Sequence, residues 1–312
     1  MRTMAGYFSL AGVRVTSFSK PALPIPDQIL LMVSRGMIVD DHARAVAALE
    51  RVSYYRLRAY WLPFEYSGDP GHRLRPDTRF ATVLALYEFD RALRLLLADP
   101  IERIEVALRG AWAHRLALQH GPHGYLEPRL YPDKRKLAKN RAQLEHEYER
   151  SHDVFVEHYK NTYTSPLLPP VWMASEFMSF GLLSKFLSSL GPAADRKAIA
   201  RSFGLSPDEL AGCAHHLTTI RNICAHHSRL WNRRLTVTAP IPTRPPHLTQ
   251  TIEATGGKTI YNTLVLLLYL LERLDAGTTW RDQLVTLLDT HPTGDLLAMG
   301  FPPDWRHRPL WR

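Results

Sequence analysis

The chain has 312 residues, 45% hydrophobic and 22% charged, which is enough apolar content for a large core and too much for a disordered segment. Lys and Arg number 39 against 30 acidic residues, a net charge of +9, so the natural partners are polyanions, with nucleic acid first and an anionic membrane second. No P-loop, G-x-G-x-x-G, H-E-x-x-H or C-x-x-C motif occurs, which sets aside the phosphate-loop, dinucleotide-fold, zincin and thiol-redox classes.

The first 25 residues lack the apolar run and cleavage site of a secretory signal, and they read as an irregular arm leading into Pro21, Pro24 and Pro26. A short helix is expected over Asp27 to Ser34, closed by Gly36, and Asp40 or Asp41 can cap the next, which carries Ala45, Ala48, Leu49 and Val52. In YYRLRAYWLPF (54–64) five aromatics surround Arg56 and Arg58. Such interleaving can stack bases, but a packed helix with its rings in the core is the simpler reading. Residues 67–79 form a loop. A helix then runs from about Thr82 to Ala98, and Asp99-Pro100 is expected to cap and start a separate helix over 100–119.

That helix contains Arg109 and His114, and Glu105 one turn earlier offers Arg109 an ordinary partner. Residues 132–153 are strongly charged. Lys134, Arg135, Lys136, Lys139 and Arg141 are either a solvated face or contacts to RNA phosphates. Pro166, Pro169 and Pro170 precede an apolar helix over 172–190 interrupted at Gly181, within which Glu176 needs a polar partner. A short basic helix follows at 195–203. Farther on, four prolines between 240 and 246 mark an extended loop, helices are expected at 258–274 and 279–289, and the Trp-rich tail docks back on the body. The apolar run Leu264 to Leu271 is too short to span a membrane.

The most informative stretch is Ser206 to Arg234. Ser206 suits an N-cap, Pro207 the first helical position, and Glu209 closes a capping box. Leu210, Cys213, Leu217, Ile220 and Cys224 then form a buried stripe. The two cysteines lie about 16 Å apart along such a helix, too far for a disulfide, and fit a reducing cytoplasm. Asn222 and His226 share a face, whereas Arg221 is rotated about 140° from His226 at about 100° per residue. From spacing alone, Arg221 and His226 read as a buried polar pair between helices. Fifteen histidines invite a metal reading, but no carboxylates or cysteines accompany them at ligand spacing, so neither metal nor cofactor is expected.

R-N-x-x-x-H at the end of a buried helix, followed by H-x-R-L-W-N-R, resembles the motif of the HEPN superfamily and, more narrowly, of the Abi-like (AbiD/AbiF) abortive-infection proteins. The resemblance extends through residues 20–41, 53–64, LYEFDRALR (86–94), IERIEVALR (101–109), 169–186 and MGFPPDW (299–305). It implies an all-α fold: an N-terminal helical segment over 1–80, a HEPN-like core over 81–235 carrying the motif, and a C-terminal loop and helices over 236–312. It further implies a metal-independent endoribonuclease acting in antiphage defence, with Arg221, Asn222 and His226 as the catalytic set, Arg109 and His114 as a possible second motif, RNA as partner, and a site shared across a homodimer. The competing reading is a non-catalytic protein that holds a structured noncoding RNA in a defence or toxin–antitoxin system.

Overall fold

The computed structural model describes residues 21–312, in which thirteen α-helices and short 3-10 turns are joined by loops. Among the described residues no strand forms, and the extended pairings are two isolated bridges, Ile38 with Arg79 and Glu65 with Leu74. The fold is all-α, as expected. Of the irregular N-terminal arm, residues 1–20 lie outside the described residues.

The chain divides into two compact units, one ending at Ala81 and one spanning Thr82–Arg312. The first holds α1 (Ile25–Ser34), α2 (His42–Arg51) and α3 (Tyr54–Trp61). Asp41 accepts from the Arg44 amide at 2.9 Å and so caps α2. Tyr60 and Trp61 are buried with Leu57, Tyr54 is half-buried and Tyr55 is exposed, so half of the aromatic residues of α3 are core.

The second unit begins with α4 (Phe80–His120), which starts at the end of the first and runs for 41 residues, about 60 Å at 1.5 Å per residue. The helix break expected at Asp99-Pro100 does not occur, and Pro100 sits inside α4. Two features explain this. Leu93, Leu97, Ile101, Ile104, Leu108 and Trp112 are all buried at spacings of three and four, so one apolar stripe crosses the proline without changing face. The carbonyl that Pro100 leaves without a helical donor is that of Leu96, and the Trp280 indole N–H bonds to it at 2.9 Å. A proline costs about 3 kcal/mol in a helix interior, less than six buried side chains contribute.

Next come α5 (Lys134–Arg150), α6 (Val154–Thr162), α7 (Val171–Phe177), α8 (Phe180–Ser189), α9 (Ala193–Arg201) and α10 (Pro207–Ala225). The single helix expected over 172–190 is two helices, and the break falls at Met178-Ser179 rather than at Gly181. Ser179 caps α8 by accepting from the Leu182 amide at 3.3 Å. Gly181 lies within α8, where a Cβ would stand 3.4 Å from Thr218 Cγ2 of α10, so its smallness serves close helix approach. Glu176 is exposed, because it points away from the apolar face. α8 packs against α5 and α10, and α9 against α10.

The chain closes with α11 (Pro246–Thr249), α12 (Ile260–Leu274) and α13 (Trp280–Asp289). Residues 260–271 of α12 are buried throughout. The tail docks as expected: Phe301 and Trp311 pack on Tyr261, Trp305 packs on both of them, and Arg308 donates to the Thr251 and Ile252 carbonyls. Among the described residues no helix is long and apolar enough to cross a membrane.

Candidate functional site

α10 forms as its sequence directs. Ser206 accepts from the Glu209 amide at 3.3 Å, and the Glu209 carboxylate accepts from the Ser206 amide at 2.8 Å, completing the capping box. Leu210, Cys213, Leu217 and Ile220 are buried and Cys224 is half-buried. Burial pushes the Cys224 thiol up to about 12, so it is an inert apolar group. His216 is fully buried. The Val237 carbonyl can only accept, so Nδ1 carries the proton and donates to it at 2.9 Å, and Nε2 accepts from Thr263 Oγ1 at 2.8 Å. Burial lowers its pKa to about 4, which makes it a neutral strut.

The other face carries the motif. Arg221, Asn222 and His226 are all exposed, and none of their side chains has a hydrogen-bond or ion-pair partner among the described residues. They are therefore not the buried bridging pair that spacing alone suggests. His215, Thr219, Asn222 and His226 recur at spacings of four, three and four on one stripe, exposed but for the half-buried Thr219, with Arg221 displaced around the helix. The helix ends in a Schellman motif: the Ser228 amide reaches the Ile223 carbonyl at 2.9 Å and the His227 amide the Cys224 carbonyl at 3.0 Å. His227 takes the left-handed conformation usually given to glycine, with φ of 54°, and Asn232 does so too at 47°.

The frame beneath this turn comes from α4. The Asp90 carboxylate, with no exposed surface, accepts from the Leu230 amide at 3.1 Å and the Trp231 amide at 2.7 Å, and pairs with Arg94 one turn along its own helix. The same two charges are felt by the Cys224 thiol, which places the pair under the last turn of α10. The Trp231 indole N–H donates to His291 Nε2 at 2.9 Å, tying the segment to the chain beyond α13. Sequence reasoning missed this tether. Its one signal was Asp90 and Arg94, oppositely charged and one helical turn apart.

The Abi-like protein family matches residues 47–232, more than half the chain and inclusive of α10 and its turn. The chain belongs to this family. Membership points to a role in abortive infection. No curated protein and no solved structure matches the chain.

The remaining candidate residues of this Abi-like protein are dispersed. The Arg109 guanidinium is engaged by Glu105, by the Ser175 carbonyl and, at 2.8 Å, by the Met178 carbonyl. It thus caps the end of α7 at the break before α8, while His114 is exposed. On α5, Lys134 is held by the Pro128 carbonyl and, at 2.7 Å, by the Tyr131 carbonyl, and Arg141 pairs with Glu145 at 2.9 Å. Arg135, Lys136 and Lys139 are exposed, and their side chains have no hydrogen-bond or ion-pair partner among the described residues. Among the described residues no three of His, Cys, Asp or Glu converge to hold a metal ion.

Proposed function

We propose that this Abi-like protein is a metal-independent endoribonuclease of the HEPN type, acting in abortive infection within the cytoplasm, with Arg221, Asn222 and His226 as its catalytic set. The observation that carries the reading is the exposure of three unpartnered, chemically competent side chains on one rigidly anchored turn. RNA supplies its own nucleophile. His226 takes the 2′-hydroxyl proton as that oxygen attacks the adjacent phosphorus, and Arg221 holds the negative charge that accumulates on the phosphate oxygens. Asn222, on the same stripe as His226, orients the imidazole or a phosphate oxygen. The departing 5′-oxygen takes up a proton from water. The products are a 2′,3′-cyclic phosphate and a 5′-hydroxyl.

Arg221 and His226 diverge around one helix, so the complete site assembles where two copies of α10 meet about a twofold axis. Mixing Arg221→Ala with His226→Ala subunits tests this: a shared site leaves one intact Arg–His pair in the heterodimer, and activity returns where each parent has none. No recovery in a verified heterodimer contradicts the shared arrangement.

The second reading, an RNA-holding protein that does not cut, draws on α5. Arg135 and Lys136 stand in its first turn, at the positive end of the helix dipole, where cations are disfavoured. A bound phosphate backbone gives them a purpose that helix stability does not. Tight, salt-sensitive RNA binding that survives His226→Ala, with no cleavage by wild type, favours this reading.

A further inference from the structure

We propose that the pocket between α12, α13 and the last residues of the chain binds a mononucleotide. The pocket has a volume of ≈ 330 Å³, at the small-ligand end of the usual range of about 300–1,000 Å³. Its lining begins at His247, so all of it lies beyond the segment matched by the family, 47–232, and no residue of α10 lines it.

The walls divide into two chemistries. Leu268, Leu271, Trp280 and Leu310 are buried and make an apolar floor. Trp280 is locked by its bond to the Leu96 carbonyl, so the floor is preformed. His247, Glu272, Arg281 and Arg312 make the rim. Arg281 is fixed by Asp282 Oδ1 at 3.3 Å and by the Arg312 carbonyl. The side chains of His247, Glu272 and Arg312 have no hydrogen-bond or ion-pair partner among the described residues.

A carboxylate, a guanidinium and an imidazole with open hydrogen-bonding capacity, the imidazole steadied against the Tyr269 ring, narrow the ligand around this apolar floor. An apolar molecule leaves the three ionisable groups unused, and inorganic phosphate leaves the floor unused. A nucleotide uses both. Its planar base covers the floor, its ribose hydroxyls donate to Glu272, and its phosphate meets Arg312 and His247 in charge-assisted bonds.

Calorimetric titration of the full chain with AMP, GMP, CMP and UMP, and separately with adenosine and inorganic phosphate, tests the assignment. At least one nucleotide is expected to bind more tightly than its nucleoside and than phosphate alone. Arg312→Glu, at an exposed position, is expected to weaken that nucleotide at least about tenfold, the scale of one hydrogen bond to a charged group. Ala276→Phe fills the pocket from an exposed loop and is expected to abolish binding of every probe. Both variants should melt with the unliganded wild type, and His226→Ala should bind as wild type does. The proposal is overturned if no nucleotide binds at millimolar concentration, if phosphate alone binds as tightly, or if folded Arg312→Glu and Ala276→Phe proteins bind unchanged.

Discussion

Replacing Asp90 by alanine removes the acceptor that anchors the chain beyond α10. Three partners lose it at once: the Leu230 amide at 3.1 Å, the Trp231 amide at 2.7 Å and the Arg94 guanidinium. Arg94 is itself only 6% exposed, so its charge loses the Asp90 carboxylate in the interior, where water does not replace it. Breaking a buried pair from one side costs about 3–5 kcal/mol, and the two stranded amides belong to the same network, so their cost is largely contained in that figure. Urea denaturation should place Asp90→Ala within that range below wild type. Hydrogen exchange should show the Leu230 and Trp231 amides losing protection before the body of α10. A double variant, Asp90→Leu with Arg94→Met, removes both charges, and its loss should be clearly smaller than that of Asp90→Ala alone. An Asp90→Ala protein within about 1 kcal/mol of wild type, with those amides still protected, refutes the tether.

Three further outcomes follow from individual contacts. His216 is neutral in the fold because its pKa drops from 6.5 to about 4, so the unfolded chain binds a proton that the folded one does not as pH falls through that window. Its contribution, roughly 3 kcal/mol at about 1.4 kcal/mol per pKa unit, is present above pH 6.5 and disappears towards pH 4; an imidazole resonance titrating near 6.5 in the folded protein contradicts this. Trp280→Phe strands the Leu96 carbonyl and should cost about 1–3 kcal/mol, but less beside Pro100→Ala, which restores a helical N–H to the same oxygen; equal losses in the two backgrounds count against the proline account. Joint replacement of Arg135, Lys136 and Lys139 by alanine should lower RNA affinity and reduce the slope of log K against log salt by about 0.7 for each lost contact to single-stranded RNA, and an unchanged slope makes them a solvated face.

What could be read from the sequence was local. The capping box at Ser206 and Glu209, the stripe of α10 and the cap of α2 at Asp41 depend on residues three or four apart, and each formed as written. The continuity of α4 was not legible, because the partner that satisfies the Leu96 carbonyl lies 184 residues away. The turn before α8 hid for a similar reason: Ser179 is an effective cap, but Gly181 is the louder signal, and only the neighbouring Thr218 shows what that glycine is for. At the candidate site the motif residues stood out by type, and spacing alone favoured burying them. Asp90, which holds their turn in place, sits 140 residues before the amides it binds, and nothing between the two announces the pairing.

The central claim is that Arg221, Asn222 and His226 cut RNA without a metal. It is tested most directly by incubating the purified protein with end-labelled RNA in excess chelator, beside the same oligonucleotide carrying 2′-deoxyribose throughout, and by analysing the new ends. Cleavage of the ribose strand only, leaving a 2′,3′-cyclic phosphate and a 5′-hydroxyl, with a loss of about 10²–10⁴-fold in folded His226→Ala, is the result expected for proton transfer by that side chain. Cleavage that persists undiminished in His226→Ala, that requires a divalent ion, or that leaves a 5′-phosphate contradicts it.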